Sequence, residues 1–168
     1  MMLVARTLLD LGDTGRTLHL YDTFEGMPPP SAVDRSFTGK SAQEEMNETP
    51  EGEGIWARAA FEDVQANLTS TGYPADRIRY IRGKVEDTIP AALPAHIALL
   101  RLDTDWYEST RHELVHLFPL LDRQGLMIVD DYGHHQGAKQ AVDEYFAGRP
   151  IYLHRLDYTA RLVARGGA

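Results

Sequence analysis

Two acidic clusters, Asp103-Thr-Asp105 and Asp130-Asp131, each stand directly after a short apolar run. The runs, His-Ile-Ala-Leu-Leu-Arg-Leu and Gly-Leu-Met-Ile-Val, read as buried strands whose carboxyl ends carry the acids. Ligands of open α/β sheets bind beyond the carboxyl ends of the strands, so four carboxylates are expected at one functional edge. Gathered there they repel one another unless a cation or a shared proton compensates. A hard divalent metal such as Mg²⁺ is the simplest solution.

The remainder of the chain supplies the alternation that such a sheet needs. Residues 2 to 11 look like the tail of a helix, Gly12 to Gly15 form a turn, and Arg16 to Asp22 form a strand. Residues 26 to 54 are rich in Pro, Gly, Ser and Glu without steady periodicity, which marks a loop or lid. Ala57, Ala60, Phe61, Val64 and Leu68 predict a helix over about 55 to 69, and Arg77 to Arg82 the next strand. After the strand at 96 to 102, Leu114, Leu117, Phe118 and Leu121 predict a helix over about 107 to 122, with Pro119 bending its last turn. Gly125 to Val129 is a strand, and Ala138, Ala141, Val142, Tyr145 and Phe146 give the clearest helical period. The runs Pro150 to Asp157 and Ala160 to Ala164 close the chain as a hairpin, which requires an antiparallel strand beside the parallel ones. The expectation is a single α/β domain over residues 1 to 168, doubly wound and mostly parallel.

Composition removes several function classes. With 17 Lys and Arg against 25 Asp and Glu, the formal charge of −8 argues against a nucleic-acid groove, which needs clustered cations. Cys is absent, so no disulfide framework, thiolate nucleophile or zinc-thiolate site exists, and a reducing cytoplasm is the simplest location. Arg6 and Asp10 interrupt the apolar N-terminus far short of a signal core or a membrane span. An exposed sheet edge leaves room for a homo-oligomer.

Four motifs in order, Tyr-Asp22-Thr-Phe-Glu-Gly-Met-Pro, Leu-Asp103-Thr-Asp105-Trp-Tyr-Glu-Ser-Thr, Ile-Val-Asp130-Asp131-Tyr-Gly and His-Arg-Leu-Asp157-Tyr-Thr, resemble the macrocin O-methyltransferase family. The resemblance runs from about residue 1 to the C-terminus. It implies a Rossmann-like, S-adenosylmethionine-dependent and Mg²⁺-dependent enzyme that methylates a sugar hydroxyl of a small-molecule glycoside, a natural product. It makes Asp103, Asp130 and Asp131 the metal ligands and Asp105 the general base. Asp22 then resembles the acid that holds the cofactor ribose, with Phe24 to Met27 lining the cofactor pocket. The chemistry is coherent, since a bound cation acidifies and orients hydroxyls while a carboxylate outside its shell accepts the proton.

Each of these residues has a plainer reading. Asp105 can cap the helix that starts near Glu108, and Asp22 can be a turn residue. His134 and His135 read as exposed residues at a helix start, Trp106 and Tyr107 as core, and Lys139 with Asp143 as a surface pair at i, i+4.

Other activities fit less well. Haloacid-dehalogenase-like phosphatases place further motifs between their two acidic sites, and the 24 residues between Asp105 and Asp130 hold one crossover helix and no more. A metal-dependent glycosyltransferase uses Asp-x-Asp but does not predict Asp130-Asp131. A third alternative, a binding domain with impaired catalysis, arises because family members carry an acidic-x-Gly-x-x-x-Gly turn upstream of the region matching Met1. Gly12-Asp-Thr-Gly15 lies in the wrong place in the order to be that turn. The family strand order 3-2-1-4-5-7-6 puts the corresponding strand at the centre. An N-terminally truncated sheet is therefore expected, with a gap between the strands ending at Asp22 and Asp103 unless those strands close up or a second chain fills it.

Overall fold

The computed structural model describes residues 1–149 and 151–166. Its elements are α1 (Met2–Asp10), β1 (Leu18–Asp22), α2 (Ala42–Glu48), α3 (Phe61–Thr69), β2 (Ile78–Arg82), α4 (Val85–Thr88), β3 (Ile97–Leu102), α5 (Tyr107–Leu117), β4 (Leu121–Val129), α6 (Gln136–Tyr145), β5 (His154–Arg155) and β6 (Arg161–Ala164). Pro150, the first residue of the expected hairpin, lies outside the described residues, as do Gly167 and Ala168 of the expected 1 to 168 domain. No helix among the described residues is long and apolar enough to cross a membrane.

The strands form two groups. β1 and β2 pair in parallel, and a four-stranded sheet has the order β3-β4-β6-β5. β3 and β4 are parallel, and β6 runs antiparallel to both β4 and β5, which is the expected terminal hairpin. β1 does not pair with β3, so these two strands have not closed up. Tyr21 of β1 bridges the groups by donating its hydroxyl to the Ala92 carbonyl.

The main core lies on one face of the larger sheet. Leu100 and Leu102 of β3 and Met127 and Val129 of β4 pack against Leu114 and Leu117 of α5 and Val142 and Phe146 of α6. That pattern follows from the two-residue period of the strands meeting the apolar stripes of two helices. The opposite face is barely covered: Leu99 and Leu126, cross-strand partners, are 45% and 39% exposed. A second cluster joins α1, α3, β1 and β2 through Ala5, Leu68, Leu18 and Ile78.

β1 begins at Leu18 rather than Arg16, and the first strand of the hairpin is only His154–Arg155. Three further departures from the sequence expectations are larger. α3 begins at Phe61 rather than near 55, because Ala57 adopts a left-handed φ of 44° and ends a short 3₁₀ turn over Gly54–Trp56. Ile55 and Trp56 pack instead with Met46 and Trp106. α5 stops at Leu117, and after a 3₁₀ turn at Phe118–Leu120 the chain enters β4 at Leu121, four residues before the expected Gly125. The added residues contain an irregularity: Ile97 pairs with Leu121 but Leu99 pairs with Leu126, and Gln124 has a φ of 68°. Finally, residues 26 to 54 are not all loop. They contain α2, whose first turn is supported by the Ser41 N–H donating to Glu44 Oε2 at 3.4 Å.

Candidate active site

β3 and β4 end side by side, and the parallel register that pairs Leu102 with Val129 places Asp103 next to Asp130. The Asp130 N–H donates to the Leu102 carbonyl at 2.9 Å, which extends the ladder one step into the acidic edge. One carboxylate oxygen from each of Asp103, Asp130 and Asp131 lies within 4.8 Å of the others. Asp131 also lies within 4.8 Å of Asp105 and His135, measured between one donor atom of each, so the two acidic clusters meet at Asp131. Burial first, and then the neighbouring carboxyl, pushes Asp103 up to about 7 and Asp131 up to about 8. Burial also raises Asp105. Asp103, Asp105 and Asp131 therefore hold a proton more tightly than a lone carboxyl does.

Asp105 is the centre of a tight three-residue turn. Its φ is 61°, and the Trp106 N–H donates to the Thr104 carbonyl at 2.6 Å. Positive φ is costly for a residue with a Cβ and is tolerated better by Asp than by most. The turn directs the chain from β3 into α5 and leaves Asp105 beside Asp131. Asp105 does not cap α5. That task falls to Asp34, a fully buried carboxylate from the 26 to 54 segment, whose Oδ1 accepts the Tyr107 N–H at 2.8 Å. Its Oδ2 accepts from both the N–H and the hydroxyl of Ser31 at 2.7 Å.

Further contacts seat the same segment against the site. Trp106 is buried and donates its indole N–H to the Pro28 carbonyl at 2.9 Å. Ser36 forms an isolated bridge with His135, and Gln136 donates its backbone N–H to Arg35 and its side-chain amide to Ser36. Gly137 makes this fit: a Cβ there would stand 2.0 Å from Asp34 Oδ1. Gly133 of the Asp-Tyr-Gly motif has a similar reason, since a Cβ would stand 2.2 Å from the Tyr158 carbonyl at the tip of the terminal hairpin. The fourth motif thus packs on the third.

Three residues at the site escape a reading of the sequence. Arg101 forms ion pairs with Asp103 and, at 3.0 Å, with Asp130; its signal was a lone charge inside an apolar strand run. Asp34 has no local signal at all. His135 was expected to be exposed, yet its side chain is 9% exposed, with Nε2 3.6 Å from Asp105 Oδ2 and the ring edge-on to Trp106 at 5.3 Å. Burial, above all, lowers the pKa of His135. Deeper in, Thr104 donates to Glu113, a buried carboxyl that burial pushes up to about 8.

The other expected residues divide. Asp22 is exposed at the end of β1, and its Oδ1 accepts the Phe24 N–H at 2.7 Å, the local turn role. Phe24 is buried, with its ring edge-on to Phe61. Lys139 and Asp143 form the surface pair read from their spacing, joined by the Tyr132 hydroxyl at 2.7 Å from Asp143. A cavity of about 720 Å³ opens beside His135, with Phe37, Tyr132, His134 and Lys139 among its other walls.

The model of the family described as macrocin-O-methyltransferase (TylF) matches residues 1–162. The 8-demethyl-8-(2,3-dimethoxy-alpha-L-rhamnosyl)-tetracenomycin-C 4'-O-methyltransferase of Streptomyces olivaceus is 36% identical over 134 residues, which cover 80% of this chain and 48% of that protein. The mycinamicin III 3''-O-methyltransferase of Micromonospora griseorubida is 32% identical over 142 residues, 84% of this chain and 54% of that protein. Among solved structures, the O-methyltransferase NovP superposes with a TM-score of 0.82 at 28% identity, covering 99% of this chain and 66% of that one. The chain spans about half the length of the curated relatives it matches. On the family match and these identities together, it belongs to the macrocin O-methyltransferase (TylF) family.

Proposed function

We propose that this chain carries out Mg²⁺-dependent O-methylation of a sugar hydroxyl on a glycosylated natural product, with S-adenosylmethionine as donor. The observation that supports this reading best is the convergence of Asp103, Asp130 and Asp131 within 4.8 Å of one another at the adjacent ends of β3 and β4. Carboxylates so close repel one another when ionised, and a cation relieves them. The names of the relatives supply the acceptor class, since the protein most similar among those given above acts on a rhamnosyl-bearing tetracenomycin.

The residues fit the metal. Asp103, Asp130 and Asp131 offer only oxygen donors, which is the preference of Mg²⁺, and three carboxylates leave positions for hydroxyls. When bound, the ion would orient and acidify adjacent hydroxyls. Arg101 supplies a fixed positive charge to Asp103 and Asp130 and so limits the repulsion between them whenever no cation is bound. Asp105 takes the proton of the reacting hydroxyl. Its raised affinity for protons, caused by burial, makes it a better base than a solvated carboxylate once it is ionised. S-Adenosylmethionine would supply an electrophilic methyl group. Asp22 would hold its ribose through Oδ2, since Oδ1 is engaged by Phe24. The cavity walled by Phe37, Tyr132 and His134 has the volume for a sugar-bearing acceptor; none of the four aspartates lines it, and its link to them is His135, which lines the cavity and stands 3.6 Å from Asp105.

The test is methyl transfer from labelled S-adenosylmethionine to a panel of glycosides, with Mg²⁺ and with a chelator. Asp103→Ala and Asp130→Ala should abolish transfer, and full activity in chelator would reject the metal. Asp105→Asn should slow turnover by roughly 10²- to 10⁴-fold while Mg²⁺ still binds. If Mg²⁺ affinity collapses instead, Asp105 is a ligand and not the base. A second reading, a binding domain without catalysis, draws on the unpaired edges of β1 and β3. It predicts calorimetric binding of the cofactor with no transfer to any acceptor.

A further inference from the structure

Beside the three-aspartate set lies another arrangement that shares one member with it. Asp105, Asp131 and His135 each present one donor atom, and these atoms lie within 4.8 Å of one another. The two sets differ in chemistry. The first is all oxygen, whereas the second includes an imidazole nitrogen, a donor suited to zinc, cobalt and nickel ions rather than to Mg²⁺.

The imidazole distinguishes this arrangement from a mere cluster of acids. Its side chain is 9% exposed, and Nδ1 has no hydrogen-bond partner among the described residues. Nε2 faces Asp105 Oδ2 at 3.6 Å, beyond hydrogen-bond range. The unpartnered Nδ1 is not the atom that faces the carboxylates, so it is Nε2 that a cation would take. The ring is also held in place. Trp106 stands edge-on to it, and the His135 backbone N–H donates to the Asp131 carbonyl at 2.9 Å, tying the two donors together. Two donors on one cation at zinc-like bond lengths stand about 3.4 Å apart at a tetrahedral angle and about 3.0 Å apart at an octahedral right angle. The observed 3.6 Å lies on the tetrahedral side.

We infer that Asp105, Asp131 and His135 form a second divalent-cation site, which takes a transition ion of the zinc class with water completing its shell. Because Asp131 belongs to both sets, an ion here competes with Mg²⁺. It also occupies Asp105, so the site is inhibitory wherever Asp105 acts as base. That consequence rests on the function proposed above, whereas the binding does not.

The probe is Zn²⁺ alone, added to the unmodified chain and followed by the ring nitrogen resonances of its seven histidines. The expected result is a large shift for His135 that Mg²⁺ does not produce and that excess Mg²⁺ diminishes. His112 and His116 on α5, with ring centroids 4.4 Å apart, are the competing acceptors. Shifts confined to those two, or an unmoved His135, overturn the site. By calorimetry His135→Gln should weaken Zn²⁺ binding by roughly tenfold or more and leave Mg²⁺ binding intact. Asp103→Asn should do the reverse. Equal Zn²⁺ affinity in His135→Gln overturns the proposal, and if that variant does not fold the resonances of the unmodified chain decide. Failure of methyl transfer leaves the Zn²⁺ result unaffected, so the two readings fall separately.

Discussion

Asp34 holds together more of the site than any of the acids that define it. It accepts three hydrogen bonds, from Ser31 twice and from Tyr107 once, and is fully buried against Gly137. Removing it leaves a buried backbone donor at the start of α5 and frees the 26 to 54 segment from its anchor. Asp34→Ala should cost about 1–3 kcal/mol in urea-induced unfolding. Gly137→Ala should cost a similar amount, because the new methyl displaces the same carboxylate, and it should do so without touching an acid of the site. A wild-type midpoint for both variants would show the contact to be dispensable. The acids at 103, 105, 130 and 131 were legible because each follows its own strand directly. Asp34 and His135 were not legible, because the partners that bury them come from 73 and about 100 residues away and leave no local pattern.

At the scale of elements, β3 and β4 owe their placement to α5 and α6, which cover the face carrying Leu100, Leu102, Met127 and Val129. Leu114 sits at the centre of that interface and is wholly buried. Leu114→Ala should therefore destabilise the chain by about 2–5 kcal/mol, and calorimetric melting measures it directly. An effect below about 1 kcal/mol would mean that the helices close over the loss. The helices were readable from their stripes, but two of their ends were not. The apolar period that predicts α5 to 122 continues through Phe118 and Leu121, yet Leu121 serves the strand core and Pro119 stands within the 3₁₀ turn that ends the helix. Likewise Ile55 and Trp56 fit a helical stripe but pack beside α2. Periodicity reports burial, and two elements can bury one continuous pattern.

The molecule as a whole is acidic, with a net charge of −8, and it gathers carboxyls at one place, from the exposed Asp103 to the buried Glu113. Asp103, Asp131 and Glu113 are all raised by burial, Glu113 from 4.5 to about 8. Between those values the folded chain holds protons that the unfolded chain has released, so stability falls as pH rises through about 4.5 to about 8. For Glu113 the loss is on the order of 1 kcal/mol per pH unit at most. Glu113→Gln should flatten the melting temperature across that window, and an unchanged slope would show that Glu113 is not the source. Mg²⁺ should act in the opposite sense by displacing the protons that Asp103 and Asp131 retain. At a hundredfold excess over its dissociation constant it should add about 3 kcal/mol, and at one fixed concentration the gain should be larger at pH 8 than at pH 6. Trp106 offers a means of watching all of this. It is one of only two tryptophans, it is sealed between His135 and the Pro28 carbonyl, and the other, Trp56, is half-buried against Thr49. A Trp56→Phe chain therefore carries a single built-in fluorophore at the junction of cation site and loop, whose emission gauges ion arrival and loop release in real time without any attached dye.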